Sequence, residues 1–200
     1  MNSLRIIRYV LWGVVIVAAV AIAAVFLLRK EGDAPLIAGA ITGGPFELVD
    51  QHGNTVTDAD LSGHPSAMFF GYTFCPDICP TTLYEMTTLM EQLGPEADKL
   101  KVYFVTVDPE RDTQPVMAEY LSAFDPRFTG LTGTREQVDA IIKGYRVYAR
   151  KVEQEKGPYL MDHTAAVYLL DADGAVAGTL DYQEKSETAL AKLKRLIESS

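Results

Sequence analysis

Cysteine and histidine are scarce in this chain: 200 residues hold two cysteines, Cys75 and Cys79, and three histidines, His52, His64 and His163. An iron–sulfur cluster normally takes four cysteine thiolates, so none is expected, and a structural zinc has no clear fourth ligand. There is no glycine-rich phosphate loop and no plausible Ser-His-Asp set, which leaves nucleotide chemistry and serine-type hydrolysis without residues. No internal repeat occurs. Basic residues are few once the first thirty positions are set aside. Those thirty hold four basic residues and no acid, and the remainder holds 14 basic against 27 acidic, a net of −13 beside −9 for the whole chain. A surface so acidic lacks the basic footprint of a nucleic-acid binder. It suits solubility, or a cationic partner.

Charge is absent altogether from Tyr9 to Leu28, YVLWGVVIVAAVAIAAVFLL. Twenty residues at about 1.5 Å each match a bilayer core of about 30 Å. A cleaved signal peptide is the rival reading, but the run is longer than an ordinary signal core and continues past the small alanines that a peptidase would use. A retained anchor is expected, with Arg5 and Arg8 before it and Arg29-Lys30 after it. The short, acid-free N-terminus then stays inside and the domain lies outside. Residues 1–30 are thus read as stub and anchor, 31–44 (Gly- and Ala-rich, without period) as a linker, and 45–200 as one domain.

Both cysteines fall within Phe69 to Leu83, FFGYTFCPDICPTTL. The apolar run before them reads as a buried strand, Ser66 to Gly71. After them Leu83, Met86, Leu89, Met90 and Leu93 fall at helical spacing, which predicts a helix over Thr81 to Leu93. The thiols therefore sit where a strand ends and a helix begins. Unpaired N–H groups and the helix dipole there stabilise a thiolate below the free cysteine pKa of about 8.5.

The rest of the chain alternates. Pro45 to Asp50 and Thr55 to Leu61 read as a hairpin around Gln51-His52-Gly53-Asn54. Strands follow at Leu100 to Val107 and Phe128 to Leu131, and helices at Pro115 to Phe124 and Arg135 to Tyr145. Val147 to Glu153 reads as a strand, Met161-Asp162-His163-Thr164 as a loop, and Ala165 to Leu170 with Ala175 to Asp181 as a hairpin around Asp171-Ala172-Asp173-Gly174. Ser186 to Ile197 closes the chain as an amphipathic helix. This order predicts an α/β fold, a mixed sheet flanked by helices with an N-terminal hairpin extension, similar to thioredoxin.

Cys75 and Cys79 are four apart. On a helical turn their Cα atoms lie about 6 Å apart, close enough for a disulfide or for joint binding of one ion. The x-x-x spacing is one residue longer than the usual redox C-x-x-C. A metal needs a further ligand. His52 and His64 lie in turn sequences and read as surface residues. His163 precedes a late strand that a thioredoxin-like sheet places opposite the first cysteine; it either reaches the sulfurs or makes only a structural hydrogen bond. Two thiolates and an imidazole are a soft set, best suited to trigonal Cu(I). Met161 is read as packing, Asp77 as an acid at the helix start, and Asp112 or Thr113 as a cap for the next helix. The carboxylates of Asp108-Pro109-Glu110-Arg111-Asp112-Thr113 read as an Arg-tied turn or a partner-docking loop. Tyr145 to Lys151, basic and aromatic, reads as a solvated strand edge.

Gly71-Tyr72-Thr73-Phe74-Cys75-Pro76-Asp77-Ile78-Cys79-Pro80, then Val107 to Thr113, then Asp162-His163-Thr164, resemble in content and order the motifs of the Sco/SenC family. The resemblance covers residues 45–198. It implies a membrane-anchored, thioredoxin-like metallochaperone that binds copper through Cys75, Cys79 and His163, as Cu(I) with Cu(II) as a second state. It further implies delivery to the binuclear Cu-A centre of cytochrome c oxidase subunit II, with other copper or thiol carriers of the periplasm as partners. The alternative is a thiol–disulfide oxidoreductase, with Cys75 and Cys79 as a redox pair that reduces that subunit or other periplasmic proteins. Thr164 stands where serine is common. An anchor starting by Tyr9 leaves no room for a mitochondrial presequence, so a single pass through a bacterial inner membrane, domain facing the periplasm, is expected.

Overall fold

The computed structural model describes Tyr9, residues 11–13 and 15–17, and residues 41–200. The few described positions of the Tyr9–Leu28 run are helical. The expected anchor and most of the expected linker otherwise lie outside the described residues, and among these no helix is long and apolar enough to cross a membrane. The sheet and its helices belong to the compact unit Ile37–Ser200.

The centre of that unit is β3 (Ser66–Gly71), whose six residues are all buried, and β4 (Lys101–Thr106), parallel to it. Both are near-continuous apolar runs, as a strand covered on both faces requires. Around them a seven-stranded mixed sheet runs in the order β2-β1-β5-β4-β3-β8-β9. Its other strands are β1 (Glu47–Asp50), β2 (Thr55–Thr57), β5 (Phe128–Thr132), β8 (Val167–Leu170) and β9 (Val176–Leu180). β3, β4 and β5 are parallel and linked through α1 (Ile78–Leu93) and α2 (Gln114–Leu121), whereas β1, β8 and β9 run antiparallel to their neighbours. α3 (Arg135–Gly144) and α4 (Ser186–Glu198) complete the helices. This is the expected α/β, thioredoxin-like arrangement, with the β1–β2 hairpin as its N-terminal extension.

The helical period placed the buried face of α1 correctly: Leu83, Met86, Leu89, Met90 and Leu93 are all buried. The helix starts earlier than Thr81, at Ile78, so Cys79 already lies in its first turn. The second hairpin strand is shorter than expected. Asp60 accepts hydrogen bonds from the N–H and hydroxyl of Thr57, and this capping diverts Asp58–Leu61 into a 3-10 turn. The 171–174 turn forms as its composition predicts, with the Asp171 carboxylate accepting from the N–H groups of Asp173 and Ala175. Tyr145 departs from the solvated edge expected of it. Its ring packs on Phe70 and Tyr168 in the core, at 1% exposure.

The larger departure concerns the segment around His163. It is not a loop but a strand, β7 (Leu160–His163), paired antiparallel with β6 (Ala149–Val152) so that Ala149 faces His163. This two-stranded ribbon is separate from the seven-stranded sheet. The sequence hides it because Met161-Asp162-His163 shows no β-branched alternation, and ladder pairing decides the conformation instead.

Candidate metal centre

The end of β3 and the first turn of α1 put the two sulfurs side by side. Cys79 is fully buried against the strand end, where a Cβ on Gly71 would lie 2.7 Å from its Sγ and 2.7 Å from Phe104. Only glycine at position 71 leaves room for that sulfur. Cys75 lies one turn earlier and is half-buried, and its Sγ accepts a hydrogen bond from the Cys79 N–H at 3.4 Å. Both thiols are free.

From the other side, β7 brings His163. Its ring stands edge-on to Phe69 and Tyr72, each with centroids 5.9 Å away. Nδ1 lies 3.0 Å from the Thr164 carbonyl oxygen. A carbonyl only accepts, so Nδ1 carries the proton and Nε2 offers its lone pair. That lone pair lies 3.4 Å from Cys79 Sγ. The donor atoms of Cys75, Cys79 and His163 all fall within 4.8 Å of one another. Cys75 and His163 line a cleft of about 360 Å³ with Tyr72, Tyr148 and Met161, and Cys79 lies buried behind Cys75. Two sulfurs and one unprotonated ring nitrogen, turned toward a common point, fit a soft ion of low coordination number.

The sulfurs are electrostatically unlike. A hydrogen bond from the Cys79 thiol, helped by the backbone N–H groups of Asp77 and Cys79, lowers the Cys75 pKa to about 4. Burial, reinforced by the neighbouring Cys75 thiolate, pushes Cys79 up. At neutral pH the pair therefore holds one proton, on Cys79.

Support behind the sulfurs comes from the loop 108–113. Asp112 is fully buried and accepts from the Thr73 N–H (3.0 Å), the Thr73 hydroxyl (2.6 Å) and the Thr106 hydroxyl (2.7 Å). It tethers the cysteine loop instead of capping α2. Thr113 occupies the cap position without a side-chain bond. Asp77 likewise stands at the start of α1 without one. Met161 is buried, in keeping with packing, and His52 and His64 are exposed on other parts of the surface. Thr164 keeps a hydroxyl's role by accepting from the Tyr148 N–H at 3.0 Å.

The same architecture recurs among known proteins. Copper-bound ScoI of Bradyrhizobium japonicum is 49% identical, with a TM-score of 0.72 over 77% of this chain and 98% of that one. Copper-bound yeast Sco1 is 36% identical, with a TM-score of 0.73 over 80% of this chain and 90% of that one. SenC of Rhodobacter capsulatus is 38% identical over 151 residues, 76% of this chain and 67% of that protein. The chain spans 58% of the length of Saccharomyces cerevisiae mitochondrial SCO2, at 38% identity over 177 residues, and 65% of that of a Rickettsia felis SCO2-like protein. The family profile described as SCO1/SenC matches residues 35–198, which takes in the whole sheet and every residue of the cleft. The chain belongs to the SCO1/SenC family.

Proposed function

We propose that the protein carries copper as cargo on Cys75, Cys79 and His163 and serves assembly of the Cu-A centre of cytochrome c oxidase subunit II. The observation that carries this reading is the convergence of two sulfurs and the His163 Nε2 within 4.8 Å. Two solved relatives, at 49% and 36% identity, hold copper. The ion supplies no chemistry of turnover here. The chain's residues do the work: Cys75 presents a formed thiolate, Cys79 releases its proton as the ion enters, and the Thr164 carbonyl keeps Nε2 free of hydrogen. A three-donor site leaves a coordination position open, through which an acceptor's ligands take the ion over. The charge-free run Tyr9–Leu28 supports a membrane anchor, with the domain on the periplasmic side of a bacterial inner membrane. Other copper or thiol carriers there are the remaining partners of this reading.

A second reading, thiol–disulfide exchange with subunit II or another periplasmic protein, is favoured by one observation. Cys75 is ionised and half-exposed while Cys79 is buried and protonated, which is the asymmetry of an attacking and a resolving thiol. Anaerobic Cu(I) loading of the full chain and of His163→Ala separates the two. One copper per chain is expected in the wild type. The variant should lose more affinity than the roughly 10–100-fold that removal of an outer partner costs. Equal affinity in both proteins would rule out the three-donor site and leave the redox pair.

A further inference from the structure

Among the described residues no ladder pairing joins the strand of His163 to the sheet behind the sulfurs, because that strand belongs to the separate β6–β7 ribbon. Yet Nε2 lies 3.4 Å from Cys79 Sγ. We infer that Arg111 is a positioning residue of the cleft, docking the ribbon that carries His163 against the loop that carries Cys75. The inference rests on the metal reading and adds to it a residue that touches no donor atom.

The contacts of Arg111 reach both walls. Its Nε donates to the carboxylate of the buried Asp108. Its Nη1 donates to the Tyr159 carbonyl at 3.0 Å, one residue before β7 begins. The guanidinium lies 3.7 Å from the centroid of the Tyr159 ring, and that ring's hydroxyl donates to the other Asp108 oxygen at 3.0 Å. On the cysteine side the guanidinium lies 4.9 Å from the ring of Phe74 and 5.5 Å from that of Tyr72. Phe74 precedes Cys75, and Tyr72 meets the His163 ring edge-on. One planar cation thus stacks on the root of the His163 strand and on the residue next to Cys75.

The next residue completes the clamp, since Asp112 holds Thr73 by two hydrogen bonds. Adjacent residues of a single loop grip opposite walls of the cleft. Arg111 Nη2 is buried without a partner. An unsatisfied buried donor is costly, so this arrangement is not the one that stability alone would choose. A lysine is no substitute, because it has neither the flat face that stacks nor the fork that bonds two groups at once.

The test is a double-mutant cycle on the full chain, reading Cu(I) affinity for wild type, Arg111→Ala, Arg111→Lys, His163→Ala and the Arg111→Ala/His163→Ala double variant. Affinity should fall about tenfold in both Arg111 variants, the scale of losing a group that orients a ligand. Arg111→Ala should add little once His163 is gone. An undiminished effect in the His163→Ala background, full rescue by lysine, or unchanged affinity would each overturn the inference. Amide exchange of residues 159–163 in the metal-free protein gives an independent readout. Faster exchange in Arg111→Ala supports the clamp even if the wild type binds no Cu(I), a result that would sink the metal reading alone. Unchanged exchange overturns the clamp. Tyr159→Leu, which removes the stacking face from the ribbon side, should reproduce both effects if Arg111→Ala does not fold.

Discussion

The proton on Cys79 decides how the cleft takes up an ion. Cys75, with a pKa of about 4, is already a thiolate at neutral pH, and burial keeps Cys79 protonated there. A metal ion bound by both sulfurs must displace that proton. Cu(I) loading at pH 7 should therefore release about one proton, and apparent affinity should rise about tenfold per pH unit through the neutral range. Calorimetry in buffers of different ionisation enthalpy measures the release directly. Two protons would mean that Cys75 is not preformed as a thiolate, and none would mean that Cys79 does not ligate. At this scale the sequence was informative about residue types and blind to their states. Cys75, Cys79 and His163 stood out by scarcity and spacing, but the inequality of the two sulfurs comes from burial depth, which local spacing does not encode. Gly71 carried a signal of its own, a glycine at the end of an otherwise bulky buried strand. Its reason became visible only when Cys79 was seen to occupy the space.

At the scale of elements, the loop 108–113 was legible as an Arg-tied turn, and the object to which it is tied was not. Asp112 illustrates the difference. A short acid before a helix ordinarily reads as a cap, yet this one turns inward and ties Thr73 to Thr106. Its burial raises its pKa above the ordinary 3.8, so the folded protein holds that proton more firmly than the unfolded chain does. This contribution to stability is therefore fully present below about pH 3.8 and is lost as pH rises through the raised value. Asp112→Asn should remove that component from a stability-versus-pH curve. At neutral pH it should cost about 1–3 kcal/mol through poorer acceptance of three donors. Denaturant titrations of both proteins across that range check both statements; identical pH profiles would show that Asp112 is not the group concerned. β7 is the complementary case. Its residues have no strand pattern, and its partner β6 lies beyond a Gly157-Pro158 loop, so only the folded ribbon defines it.

The whole domain has two ends with separate duties. β3 runs toward the cleft, which opens past Gly71, and Leu170 lies opposite Ser66 at its far end. Val176 pairs with Leu170 there and donates its N–H to the Ile41 carbonyl at 2.9 Å. Ile41 thus lies at the pole opposite the cysteines, and Gly43, at φ 67°, lies against Gly144 of α3. The alternation of strands and helices made the layered architecture readable from sequence, but this polarity depends on sheet order and on a Gly–Gly contact about a hundred residues apart in the chain. A Cβ at position 144 would collide with the Gly43 backbone, so Gly144→Ala must displace that backbone. A loss of about 1–3 kcal/mol and faster amide exchange at Val176 are expected, the range of an ordinary disruptive substitution. Cu(I) affinity should be unchanged, and the stability losses of Gly144→Ala and Asp112→Asn should add within about 0.5 kcal/mol, because sites at opposite poles share no partners. A Gly144→Ala protein with weakened Cu(I) binding would instead mean that the two ends are mechanically coupled, and that strain between Gly43 and Gly144 reaches the cleft.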